Sequence, residues 1–249
     1  PVYMLCHQIH KRKMETCSIG IGRMTTMNKK VFKEPQIPQE LTEVRDAAEL
    51  MEAAREEEGE IFRRQFTGTF LSRIDGSHIS FQQVVFQNCK FLGCFFDRAS
   101  FADVKFINCD FSNSSMNDVN FRSCAFENCK ALGTDFYGSI IRHVSMKNCN
   151  FRDAGMDAVR MSYVKAYHTD FTEASFSKCN ITNVDWKDDC FKNASFFKTW
   201  LKDIDLTECD ITGIVISDAK DELREVVVNL EQAIMLAKRL GIVIKELER

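Results

Sequence analysis

The sequence predicts an all-β solenoid of square cross-section with a short helical cap at each end, and three patterns carry that prediction. First, residues whose numbers end in 1 or 6 are large and apolar. From Phe81 to Ile211 there are 27 such positions; 25 are Phe, Trp, Met, Ile or Leu, and only Ala131 and Ala166 are small. Second, the residues two places earlier are small or β-branched at every position but Asp189. Third, the pair Asn-Cys returns every twenty residues, at Asn88-Cys89, Asn108-Cys109, Asn128-Cys129 and Asn148-Cys149. A short period nested in a longer one marks a repeat architecture.

Neither a helix of period 3.6 nor a strand of period 2 keeps every fifth residue on one side over so long a run. A chain that turns a right angle after each five residues does, and four such steps close a twenty-residue square. Residues twenty apart then stack at roughly 4.8 Å, the spacing of hydrogen-bonded strands. The large residue of each step fills the axis, the small one beside it takes the remaining interior room, and the other three face water. Seven to eight coils would make a rod of roughly 35 Å at that spacing.

The segments CDFSN, VNFRS, TDFYG, CNFRD, TDFTE and IDLTE resemble the A(D/N)LXX signature of pentapeptide-repeat proteins, with Phe more often than Leu at the centre. The resemblance covers about residues 66 to 220 and implies that family's right-handed quadrilateral β-helix. The register opens imperfectly, since Phe66 and Leu71 keep the phase and Gly76 does not. The β-helix is therefore placed at 65–220.

Composition agrees with this reading. The three prolines, Pro1, Pro35 and Pro38, all precede the repeats, inside which a missing N–H would break a ladder. No stretch approaches the apolar length of a membrane span and no signal-peptide pattern appears, so a cytoplasmic location is expected. Eight of the eleven cysteines occupy the small interior position and read as compact hydrophobes. Cys89, Cys109, Cys129 and Cys149 would stack in a line, whereas zinc needs ligands around a point. Neither a metal nor a cofactor is expected, and Cys190, which faces outward, is the thiol expected to react first. The Asn column beside the cysteines is expected to hydrogen-bond along itself. Asp189, the single charge at an interior position, needs backbone N–H partners or a raised pKa.

The C-terminal segment, 221–249, reads as a helix followed by a strand. Asn229 and Gln232 have capping-box spacing, and Gly241 sits where a helix C-terminus favours the left-handed conformation. Leu230, Ala233, Ile234, Ala237 and Leu240 form an apolar stripe, and Ile242-Val243-Ile244 reads as a short strand. The stripe either closes the open end of the solenoid or pairs two copies. LEQAIMLAKRLGIVI is similar to the tails of quinolone-resistance pentapeptide proteins of the Qnr and MfpA type. That similarity implies a homodimer through Leu230, Ala233, Ile234, Ala237, Leu240 and Ile242.

The same subset binds type II topoisomerases, DNA gyrase and topoisomerase IV, as imitations of duplex DNA, which would demand an acidic rod. Residues 65–220 hold 19 acidic against 17 basic side chains, so the acidity is confined to a C-terminal cluster that includes Asp203, Asp205 and Asp210. The competing reading is a scaffold that binds an unidentified protein through outward aromatics, namely Tyr137, Tyr163, Tyr167, Phe197 and Trp200. Direct binding to nucleic acid or membrane is not expected.

Residues 1–39 read as a disordered or tag-derived leader. Residues 40–64 read as an N-terminal capping helix with the stripe Val44, Ala47, Ala48, Met51 and Ala54. An enzyme is not expected: the five histidines have no metal spacing, and there is no phosphate-binding glycine loop or nucleophile motif. A square tube filled with phenylalanine also leaves no substrate cavity.

Overall fold

Backbone torsions explain the five-residue beat. The residue two places after each large interior one turns the corner with positive φ, as at Asn88 (55°), Asn108 (54°), Asn128 (55°) and Asn148 (53°). Asn, Asp and Gly tolerate that region best, which is why they crowd the column. The sequence reading of Asn as a ladder also holds. Nδ2 of Asn108, Asn128 and Asn148 each donates to Oδ1 of the asparagine one coil earlier, at 3.0, 3.2 and 3.2 Å.

The computed structural model describes residues 31–57, 59–217, 221–239 and 241–245. From Phe32 onward the chain forms one unit. It begins with strand β1 (Thr42–Glu43) and helix α1 (Ala47–Glu56), then β2 (Glu60–Phe62), β3 (Arg64–Thr67) and β4 (Phe70–Ser72). β5 (Ser80–Gln87), β6 (Lys90–Leu92), β7 (Ser100–Ile107), β8 (Asn120–Glu127), β9 (Ile140–Lys147), β10 (Arg160–Tyr167) and β11 (Asn180–Lys187) follow. A 3₁₀ turn (Asp221–Leu223) and helix α2 (Leu230–Arg239) complete the order.

All strand pairs are parallel, and between coils the register is a shift of twenty, as in Phe101↔Phe121 and Phe121↔Ile141. The large sheet runs β1-β3-β5-β7-β8-β9-β10-β11, with β2 also on β5. It occupies two sides of the square. The other two sides are held by bridges twenty residues apart, such as Lys90↔Asp110 and Phe95↔Ser115. This is the quadrilateral parallel β-helix.

Phenylalanines fill the axis in columns. Phe86, Phe106 and Phe126 stack at 5.2 and 4.5 Å, and Phe81, Phe101 and Phe121 at 4.8 and 5.1 Å. Neighbouring columns meet edge to face, as Phe106 does with Phe111 at 5.2 Å. Both geometries are favourable for aromatic pairs. Gly76 breaks the phase because a neighbour fills its place: a Cβ there would lie 2.8 Å from the Phe96 ring.

The small interior residues satisfy the coil behind them. Ser114 Oγ accepts from Cys94 N at 3.1 Å and donates to Phe91 O at 2.6 Å; Ser139 does the same with Val119 and Met116. Cysteine copies half of this, its Sγ approaching the carbonyl twenty-three residues back, as Cys109 does Phe86 O at 3.4 Å. The nine described cysteines are free. Burial pushes the thiols of Cys124, Cys179 and Cys209 up to about 12.

Residues 32–39, which the sequence reading placed in the leader, carry no regular secondary structure; Phe32 and Gln36 contact the outer face of the large sheet, and Pro35 is buried. Ile242-Val243-Ile244 forms no strand among the described residues. Leu240, the fifth member of the C-terminal stripe, lies outside the described residues. Among the described residues no helix is long and apolar enough to cross a membrane.

Candidate protein-binding surface

The large sheet ends at β11. One coil further on, residues 200–207 adopt turns instead of a strand, and their bonds run onward: Leu206 N donates to Val227 O at 2.9 Å and Asp203 N to Glu225 O at 3.0 Å. On the opposite sides the ladder continues, for Asp210 N still reaches Asp189 O at 3.0 Å. Two coils therefore remain joined along two sides and lose their ladder along the other two.

A groove of 480 Å³ opens along that loosened side, lined by Asn180, Thr182, Lys198, Trp200, Lys202 and Asp203. Trp200 is 66% exposed at its rim. Lys198 places Nζ 5.2 Å from the centre of the Phe197 ring. Lys202 pairs with Glu225 at 2.7 Å, and Glu222 is buried beneath, accepting from Lys198 N at 2.8 Å and Ser217 N at 2.9 Å. Those bonds hold the Glu222 carboxyl below its usual range against the opposing effect of burial. The groove thus offers an aromatic plate, two cations and a carboxylate on a fixed frame.

The residues singled out from sequence do not form one site. Phe197, Trp200 and Asp203 gather here. Tyr137 is exposed on a separate groove with Asp97 and Arg98. Tyr163 is half-buried, stacked on His143 at 4.8 Å. Tyr167 stands exposed against His168 at the end of β10, with ring centres 3.9 Å apart. Asp205 turns its carboxylate to Thr207 N at 2.9 Å, and Asp210 lies 3.5 Å from Lys192. A hydrogen bond from Thr212, with Lys192 beside it, holds the Asp210 carboxyl low. Reading the sequence missed Lys198 and Lys202, because the five-residue beat does not show where strand gives way to turn.

The C-terminal helix is fastened by polar groups. Asn229 and Gln232 form the expected reciprocal cap, at 2.8 and 3.0 Å. Gln232 Nε2 donates to Leu206 O and Cys209 O, each at 2.7 Å, closing two carbonyls at the end of the solenoid. Leu236 is buried and Met235 packs behind it, while the stripe residues are less covered: Leu230 is 77% exposed, Ala233 is exposed, and Ile234 and Ala237 are half-buried. Ile242 extends that apolar surface beyond Gly241, whose φ of 80° ends the helix as expected.

Residues 79–156 match the family model described as a pentapeptide repeat region. No curated protein matches the chain. Among solved structures the chain is similar to a trypsin-treated QnrB1, a plasmid-mediated fluoroquinolone resistance protein. That match has 20% identity over 76% of this chain and 91% of that one, with a TM-score of 0.32. HetL, a pentapeptide repeat protein involved in heterocyst differentiation regulation in the cyanobacterium Nostoc, matches at 11% identity over 69% and 86%, with a TM-score of 0.40. A pentapeptide repeat protein of the Arabidopsis thaliana thylakoid lumen matches at 20% identity over 42% and 66%, with a TM-score of 0.23.

Proposed function

We infer that this chain, a pentapeptide-repeat protein, is a non-enzymatic scaffold that binds a protein partner at the groove beneath Trp200. One observation carries the reading: a large aromatic stands two-thirds exposed over a groove at the place where the sheet ladder stops. Aromatic anchors at the centre of a concave site are the usual source of binding energy between proteins. Bait protein in pull-downs should lose its partner on Trp200→Ser and keep it on Tyr137→Ser, which alters the other groove. Loss with both variants, or with neither, removes the site.

A second reading is a duplex mimic directed at DNA gyrase or topoisomerase IV. Asp185 and Asp188 precede Asp205 and Glu208 by one coil, and all four are exposed, which supports a local acidic face. Asp185 is partly neutralised by Lys187 at 3.6 Å. Supercoiling by purified gyrase, with and without ciprofloxacin, tests this reading: protection from the drug or direct inhibition supports it, and no effect across a titration ends it. High salt would abolish a charge-driven mimic and spare an aromatic groove.

The exposed face of α2 supports a homodimer through Leu230, Ala233, Ile234, Ala237 and Ile242. Ile234→Glu should then halve the mass measured by light scattering. A dimeric, cytoplasmic scaffold is the form we propose for this chain.

A further inference from the structure

Residues 32–38 cross the outer face of the large sheet, and they contribute nothing to the interior. Before β1 is reached, the described hydrogen bonding from this segment to the sheet is a single bond, Gln36 N to Asp103 Oδ1 at 3.0 Å. The rest of its seat is made by side chains. The Phe32 ring meets His143 edge-on at 6.1 Å and lies under Lys165 Nζ at 4.4 Å. His143 in turn stacks on Tyr163. The result is a seat for one ring, edged by His143, which Tyr163 backs, with a cation above it.

Further along, Pro35 is buried, and so are Ala102, Ser123 and Ala125, although all three point away from the solenoid axis. Their columns also hold long charged residues, Arg122 and Arg142 in that of Ala102, and Lys105 and Lys165 in that of Ala125. Small residues along the path of the segment and long ones on either side make a track. Asp103 at its end accepts the first N–H after the proline. The apolar interior runs unbroken beneath this track, through Phe101, Phe121, Ile141 and Met161, so the solenoid does not need the segment in order to close.

We propose that this track is a binding groove for an extended partner peptide that carries an aromatic ring three residues ahead of a proline, and that residues 32–38 occupy it in cis. The recognition is that of an extended chain in a side-chain groove: the ring fits the His143–Tyr163–Lys165 slot, the proline lies over the small residues, and the next N–H goes to Asp103. A covalently attached occupant has a high effective concentration, so a partner peptide competes only when the resident segment is weakened or displaced.

The probe is a fluorescein-labelled peptide of residues 32–41, followed by anisotropy against the full chain and two full-length variants. Phe32→Ser removes the resident ring. Gln36→Pro removes the N–H given to Asp103 and leaves the Phe32 ring in place, and serves if the first variant fails to fold. Either variant should bind the peptide at least tenfold more tightly than the unaltered chain, and adding Ala125→Arg, which fills the track, should abolish that binding. Equal binding by variant and unaltered chain, or binding that survives Ala125→Arg, overturns the proposal. A variant that becomes a dimer by exchanging residues 32–38 between copies overturns it too, since the occupant is then a second copy.

Discussion

Thr169 donates its backbone N–H to Asp189 Oδ1 at 2.7 Å, inside a tube where every other interior small position is neutral. Asp189 thus stands where Ser114 and Ser139 stand in their columns, accepting from the coil behind. Those hydroxyls also donate to a carbonyl; Oδ2 of Asp189 is buried without a partner. A protonated carboxyl has that missing donor. Burial pushes the Asp189 carboxyl up to about 7 from 3.8, with Asp188 and Asp185 adding to the rise and hydrogen bonds from Thr169 and Lys187 opposing it.

The sign of the pH dependence follows. The folded chain holds this proton between about pH 4 and 7 while the unfolded chain releases it, so stability falls as pH rises through that window. The loss should be on the order of 2–4 kcal/mol between pH 4 and 8. Urea unfolding of the parent and of Asp189→Thr should separate them: the variant, with the residue found at 169 and 199, should lack this slope. Parallel slopes would mean Asp189 stays charged in the fold.

His143 titrates in the opposite sense. Burial, with Arg142 and Lys33 nearby, lowers its pKa from 6.5, and Nδ1 has no partner among the described residues. Lys165 faces the same slot from β10. Protonation would add a fourth positive charge there, so the seat of residues 32–38 is stable above pH 6.5 and weakens as pH falls through and below it. Hydrogen exchange over residues 32–41, corrected for intrinsic rates, should lose protection at pH 5 relative to pH 7.5. His143→Phe keeps a ring and cannot be protonated, so its protection should be the same at both.

Gln232 closes the end of the tube. Gln232→Leu removes donors from two carbonyls and an acceptor from Asn229 N, at a cost of about 2–4 kcal/mol. Because each coil touches only its neighbours, the loss should be local. Exchange should quicken over residues 201–215 while the coils around Phe106 stay protected. A uniform increase along the rod would instead indicate global destabilisation.

Thiol chemistry should divide the cysteines by position. Cys190 is half-exposed, with Sγ 3.3 Å from Thr172 Oγ1, whereas the eight interior thiols are buried. Brief alkylation of the native protein, mapped by mass spectrometry, should modify Cys190 and leave those eight intact until the chain unfolds. Early modification of Cys109 or Cys129 would mean the tube opens on that timescale.

The interior was legible because one phase runs through it from Phe81 to Ile211, and the break just before it has a visible cause, Gly76 making room for the Phe96 ring. The outer surface was harder to read, for outward residues answer to whatever lies across them. Ala102 and Ala125 mean little until residues 32–38, which have no periodicity of their own, are seen to cover them. The candidate site was half visible: Trp200 and Phe197 stood out as aromatics, but the change from strand to turn after β11 leaves the interior beat intact. The capping box at Asn229 was plain from spacing, whereas the reach of Gln232 into the solenoid depends on how the helix is docked.

The shift of twenty has a consequence for how such a chain can change size. A deletion or duplication of twenty residues restores every column, with asparagine over asparagine and phenylalanine over phenylalanine. One of five residues keeps the interior phase but advances all later residues by a quarter turn, carrying Trp200 to another side of the square. The length of this molecule is therefore quantised in steps of about 4.8 Å, and its surface can be rotated independently of its length.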